Sequence, residues 1–151
     1  MRACDLFSRG ASVEALAGAE MAVYLVHSMM PSARLTQASF QDLDLLCALN
    51  FADACAHHGV KKIVYLGGLL PETGELSPHL ESRREVEDAL GSTGVPVIAL
   101  RAGLVLGRDG SSFQIVRRLV ERLPWMICPS WTKTRTQPTH LQDVVDAIGM
   151  S

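Results

Sequence analysis

The stretch Lys61–Gly74, KKIVYLGGLLPETG, decides the fold. Two lysines lead into an almost unbroken apolar run, and the run stops at two adjacent glycines, Gly67 and Gly68. A continuous apolar run of this length, without alternation, reads as a strand buried on both faces, the habit of parallel sheets. The glycine pair then has two readings. It turns the chain, or it lets a ligand approach the backbone closely.

Working outward, each neighbour of 61–67 has the other periodicity. The segment from about Gln37 to His58 places Leu43, Leu46, Cys47, Asn50, Phe51 and Ala54 at helical spacing, and Gly59 closes it. Before it, MAVYLVH (21–27) is a second strand of the buried type, preceded by SVEALAGA (12–19), a short helix with Ser12 as its expected cap. After it, Ser77-Pro78 starts a helix that runs to about Leu90. VPVIALRAGLVLG (95–107) is a third apolar strand, SFQIVRRLVERL (112–123) a further helix, and a last helix begins near Gln142. The intervening 124–140 is irregular, with room for short strands. Strands alternating with helices predict an α/β fold with a parallel sheet, here as one domain over 1–151.

The composition excludes several classes. With 14 basic and 16 acidic residues and 5% aromatics, the chain has neither the charge nor the stacking platforms of a nucleic-acid binder. No stretch has the length and apolarity of a membrane span or signal peptide, so a cytoplasmic protein with no membrane partner is expected. Cys4, Cys47, Cys55 and Cys128 lack C-x-x-C spacing and read as reduced thiols. His57 and His58 are adjacent and point about 100° apart on a helix, so no metal site is expected.

In open parallel sheets, ligands bind beyond the C-terminal ends of the strands. That rule selects Asp5-Leu6, His27-Ser28-Met29, Gly67-Gly68 and Arg101-Ala102-Gly103. His79 and Arg83, four apart near a helix start, could move a proton or hold a phosphate. They could equally belong to a solvated face, with Arg83–Glu87 and Arg84–Asp88 as surface pairs worth about 0.3–0.5 kcal/mol each. Trp125 and Trp131 read as packing residues of a lid or sheet edge. No G-x-S-x-G, H-E-x-x-H, G-x-x-x-x-G-K-[ST] or G-x-G-x-x-G motif occurs.

Four segments, CDLFSRGASVEALAGAEMAVYLVHSM, NFADACAHHGVKKIVYLGGL, SPHLESRREVEDALGSTGVPVIALRAGLVLG and QPTHLQDVVDAI, follow one another as in a known family. Nearly the whole chain resembles the atypical short-chain dehydrogenase/reductases, in particular their NmrA-like, NAD(P)H-binding branch often labelled nucleoside-diphosphate-sugar epimerase. The resemblance implies a partial Rossmann-like doubly wound parallel sheet. It also implies NADP or NAD as cofactor. Asp5 and Leu6 would contact adenine, Val26, His27 and Ser28 the ribose, and Ala102 and Gly103 the nicotinamide, with Asn50 and Asp44 at polar positions of the long helix.

Two departures go with it. Met1 falls about where the family's third strand ends. The strand–helix–strand–helix segment with the Gly-rich phosphate loop is therefore expected to be missing, and nucleotide binding impaired. In the catalytic set, Gly67-Gly68 stands where the family has a Ser, and His79 and Arg83 where it has Tyr and Lys. The resemblance thus implies an oxidoreductase-like protein with weak or lost activity. The alternatives are a redox sensor of the NmrA-like kind and a fragment without function. A homo-oligomer or protein partner is expected to cover the open sheet edge.

Overall fold

The computed structural model describes residues 3–27, 40–71, 76–107, 110–123, 125 and 137–151. They fall into two compact units, Met1–Arg101 and Ala102–Ser151.

The first unit alternates helices and strands, as the sequence predicts. Its elements are α1 (Arg9–Ala15), β1 (Met21–Tyr24), α2 (Phe40–His57), β2 (Lys62–Gly68), α3 (Pro78–Gly91) and β3 (Val97–Ala102). The strands form one sheet in the order β1-β2-β3. β1 and β2 run parallel, with Met21 opposite Lys62 and Tyr24 opposite Tyr65. An open parallel sheet needs a crossover between successive strands, and α2 and α3 supply them. The core lies where these helices meet the sheet, among Ala22, Tyr24, Ala48, Phe51, Cys55, Ile63, Tyr65, Val86 and Leu90.

Local chemistry explains the element ends. Ser77 Oγ accepts from the Leu80 N–H and Pro78 opens α3, as expected of a Ser-Pro helix start. Gly59, at φ 65°, ends α2. The Val60 N–H then reaches back to the Cys55 carbonyl at 3.0 Å and the Gly59 N–H to the Ala56 carbonyl at 3.2 Å, the paired bonds of a Schellman turn. Any side chain at Gly59 would be forced into a left-handed conformation.

Four expectations change. The cap of α1 is Ser8, whose Oγ accepts from Ala11; Ser12 is buried within the helix and donates to the Ser8 carbonyl at 3.0 Å. β1 is covered on one face only. Ala22 and Tyr24 are buried, while Met21, Val23 and Leu25 on the other face are 37% to 54% exposed. On α2 the buried face runs through Asp44, Cys47, Ala48, Phe51, Ala52, Ala54 and Cys55, so Cys47, Phe51 and Ala54 fall as expected, but Leu46 is exposed. A helix apolar on nearly every side does not reveal by periodicity which side packs. Lastly, the apolar run 95–107 is not one strand. It bends at Gly103-Leu104 and resumes as β4 (Val105–Leu106) in a separate sheet.

The second unit contains β4, α4 (Ser111–Arg122), β5 (Thr139–His140) and α5 (Leu141–Met150). β4 and β5 pair in parallel, with Val105 opposite Thr139. His140 caps α5, its ring nitrogen accepting from the Gln142 N–H at 3.2 Å. Trp125 is 90% exposed, so it packs no lid or edge, and Trp131 lies outside the described residues.

Candidate functional site

Two tyrosines stand on neighbouring strands, one at the C-terminal end of β1 and one midway along β2. Tyr24 and Tyr65 occupy equivalent positions in the two strands and are each 1% exposed. The Tyr24 ring sits edge-on to Phe51 at 4.9 Å between centroids and tilted against Tyr65 at 6.2 Å. Tyr65 donates its hydroxyl to the Arg83 carbonyl at 3.2 Å, which ties β2 to α3. The Tyr24 hydroxyl is buried and has no hydrogen-bond partner among the described residues.

Charge surrounds this pair. Burial, then the neighbouring Cys47 and Asp44, push the Tyr24 phenol well above its ordinary range. Burial also raises Tyr65, and outweighs the Arg83 guanidinium, which pulls the other way. Both phenols are therefore neutral near neutral pH and keep their protons. Cys47 is pushed up to about 11 by burial, with Asp44 and Asp5 adding to it, so it is a thiol and not a nucleophile.

His27, just past β1, is held below the ordinary imidazole value by partial burial of its ring and by the Arg83 charge, with His79 adding and Asp44 opposing. Asp44 and Arg83 thus act on the same groups with opposite sign. Among the described residues Arg83 makes no ion pair. Glu87, expected to serve it, instead takes Arg101 in a two-pronged bridge of 2.8 and 3.3 Å.

The loop before α1 is fixed from below. Asn50 on α2 donates its side-chain N–H to the Leu6 carbonyl at 2.9 Å and the Phe7 carbonyl at 3.2 Å. The Asp5 carboxylate accepts from the Phe7 N–H at 3.0 Å, which folds the loop on itself. Leu6 packs against the core. Asn50 thus holds the loop of Asp5 and Leu6 against α2.

Of the sequence-derived candidates, Asp5, Leu6, Val26, His27, Gly67, Gly68, His79 and Arg83 all lie in this unit. Ser28 is outside the described residues. Gly67 and Gly68 are the last two residues of β2, not a loop beyond it. A Cβ at Gly67 would meet the Tyr65 ring at 3.0 Å, and one at Gly68 would meet Leu80 Cδ2 at 3.0 Å. The pair is thus glycine for packing: β2 passes against its own tyrosine and the first turns of α3. His79 is exposed and Arg83 half-buried. Ala102 closes β3, and Gly103, exposed, follows it in the second unit.

Sequence reading missed Tyr24 and Tyr65. A signal existed: they are the chain's only two tyrosines, and each sits inside an apolar strand. Nor does sequence show that His58 Nε2 lies 2.7 Å from the Val13 carbonyl and fastens α1 to α2. Among the described residues no group of three His, Cys, Asp or Glu could hold a metal, and no helix is long and apolar enough to cross a membrane.

No protein-family model matches the chain. Auxiliary protein GraX of Staphylococcus aureus is 33% identical over 94 residues, which are 62% of this chain and 27% of that protein. Among solved structures, the Bordetella bronchiseptica enzyme WbmG, in complex with NAD, superposes with a TM-score of 0.73 at 18% identity, over 97% of this chain and 51% of that one. The UDP-glucose 4-epimerase of Thermus thermophilus, in complex with NAD, gives 0.71 at 20% identity, over 97% and 58%. Citrobacter triphenylmethane reductase, with NADP(H), gives 0.55 at 21%, over 78% and 37%. At these identities the likeness is one of fold, an open, doubly wound, Rossmann-like parallel sheet. The chain spans 51% of the WbmG structure and 58% of the epimerase structure, and less of the other two proteins.

Proposed function

We propose that this chain is a nicotinamide-nucleotide-binding, oxidoreductase- or epimerase-like protein of the atypical short-chain dehydrogenase/reductase class, with weak or lost catalytic activity. The observation that carries the reading is Arg83, a half-buried guanidinium without an ion pair among the described residues, beside His27 at the strand ends. Such a group suits a phosphate or a ribose hydroxyl at the crevice of a parallel sheet. The rim fits the rest of a dinucleotide in kind. Asp5 offers a carboxylate on a loop that Asn50 holds, and Leu6 an apolar contact, for adenine. His27, neutral at physiological pH, suits a ribose, and Ala102 and Gly103 are matched to the nicotinamide by the family resemblance alone. NAD and NADP both supply hydride chemistry when bound.

Loss of activity follows from the acid–base set. Arginine cannot give up a proton at working pH, so Arg83 binds and orients but does not shuttle. His79 is exposed, and the buried phenols of Tyr24 and Tyr65 are held protonated. A second reading, a non-catalytic NmrA-like regulator in the cytoplasm, shares the binding half of the proposal. The likeness to a protein described as auxiliary favours it. A polypeptide partner or a second copy covers the free edge of β1 in either case.

Titration with NADH and NADPH, followed by nucleotide fluorescence and melting temperature, tests the reading. Saturable binding with a thermal upshift is expected, weakened roughly tenfold or more in Arg83→Gln. Asn50→Ala is expected to cost about 1 kcal/mol of stability and to weaken binding further through its loop. Absence of saturable binding by both nucleotides sinks the proposal, and turnover at ordinary enzyme rates sinks its inactive half.

A further inference from the structure

α4 stands apart from every other helix among the described residues. Laid out at 100° per residue, Phe113, Ile115, Val116, Leu119 and Val120 of the helix, with Leu123 at its C-cap, lie within one arc of about 160°. Gln114, Arg117, Arg118, Glu121 and Arg122 fill the rest. An arc of that kind normally faces a core. Here its members are 40% to 67% exposed, and Trp125, just beyond the helix, is 90% exposed. The apolar and charged faces are both turned to solvent.

Charge decides what can cover it. Arg117 is bound within the helix, its Nε 2.7 Å from Glu121. Arg118 and Arg122 border the apolar arc beside Ile115, Leu119 and Leu123, and carry no ion pair among the described residues. In a two-fold antiparallel pair of such helices the same flanks meet, so Arg118 and Arg122 of one copy would face those of the other. That disfavours a second copy. An arc of about 160° is also wider than the narrow seam that a single partner helix covers. An anionic plane meets both requirements, and an exposed Trp at the helix end is the residue type that settles at a lipid headgroup boundary.

We propose that α4 is a membrane-surface helix, which lies in the headgroup region of an anionic bilayer with Ile115, Leu119 and Leu123 inward and Arg118 and Arg122 on lipid phosphates. Such docking needs no spanning segment, so the lack of one in the sequence does not oppose it. It revises the expectation of no membrane partner and stands independently of nucleotide binding.

Flotation of the full chain with vesicles of phosphatidylcholine alone, and of phosphatidylcholine with about one third phosphatidylglycerol, tests it. Binding to the anionic vesicles only is expected, falling as salt rises. The Arg118→Gln/Arg122→Gln variant should bind roughly tenfold less or weaker still, and Val120→Asp should release the chain. In a Trp131→Phe background, emission from Trp125 should shift to the blue on binding. All the altered α4 side chains are exposed, so melting should stay unchanged. No flotation, equal flotation with neutral vesicles, or flotation indifferent to both variants overturns the proposal. So does self-association that Val120→Asp abolishes in a chain that ignores vesicles, which would assign the face to a second copy.

Discussion

Partial burial and the Arg83 charge pull the His27 imidazole in the same direction, below its ordinary value. The unfolded chain therefore takes up a proton near pH 6.5 that the folded chain still refuses. Stability attached to this group is present above that pH and is lost as pH falls through the lowered folded value. On the alkaline side the sign reverses. Cys47 and Cys55, ordinarily at 9.0, are raised to about 11 by burial, so stability is full below pH 9 and declines from there to 11. Urea midpoints measured across pH should show a plateau with a fall at each end. His27→Gln should flatten the acid fall and leave the alkaline one untouched; an unchanged acid slope would show that another group carries it. At this scale the sequence revealed His27 just past a strand and Arg83 near a helix start. It did not reveal that Tyr24 and Tyr65 meet, or that Glu87 prefers Arg101, because those contacts join elements 14 to 44 residues apart or depend on strand register.

Among the elements, β2 carries the clearest consequence. Gly67→Ala would drive a Cβ against the Tyr65 ring, which is fully buried and held by its hydroxyl, so nothing can move aside. Gly68→Ala meets only the tip of Leu80, a half-buried leucine that can rotate. The first substitution should cost about 1–3 kcal/mol and the second less than about 1 kcal/mol. Urea unfolding of the two variants checks the order, and a reversed order would refute the packing account. Helix starts were legible where chemistry marks them, as at Ser77-Pro78, and so was the stop at Gly59. The buried side of α2 was not, because Leu46 and Leu49 make its solvent side as apolar as its core side. Nor was the break at Gly103, since Leu104, Val105 and Leu106 continue the apolar pattern into another sheet.

For the molecule as a whole, the α/β class was legible from alternation alone, and the comparisons give the same fold. Among the described residues β1 is an edge strand, a position that residue pattern does not reveal because periodicity speaks of faces and not of edges. Met21–Tyr24 contains no Lys or Pro, the usual guards of an exposed strand, and its open face is apolar. Sedimentation velocity should therefore show mass rising with concentration, and Val23→Lys should reduce it at unchanged melting temperature. A wild-type chain that stays monomeric at high concentration would rule out a second copy on this edge. The strand order β1-β2-β3 is also the order of synthesis. In this sheet β2 and β3 each find a neighbour already made, across a single helix. The paired residues of β1 and β2 stand far apart in sequence, Met21 opposite Lys62, a reach that slows parallel pairing, but during translation the sheet can assemble strand by strand as the chain leaves the ribosome. Nascent chains arrested after Ala102 has emerged should already resist protease, whereas those arrested before β2 should not.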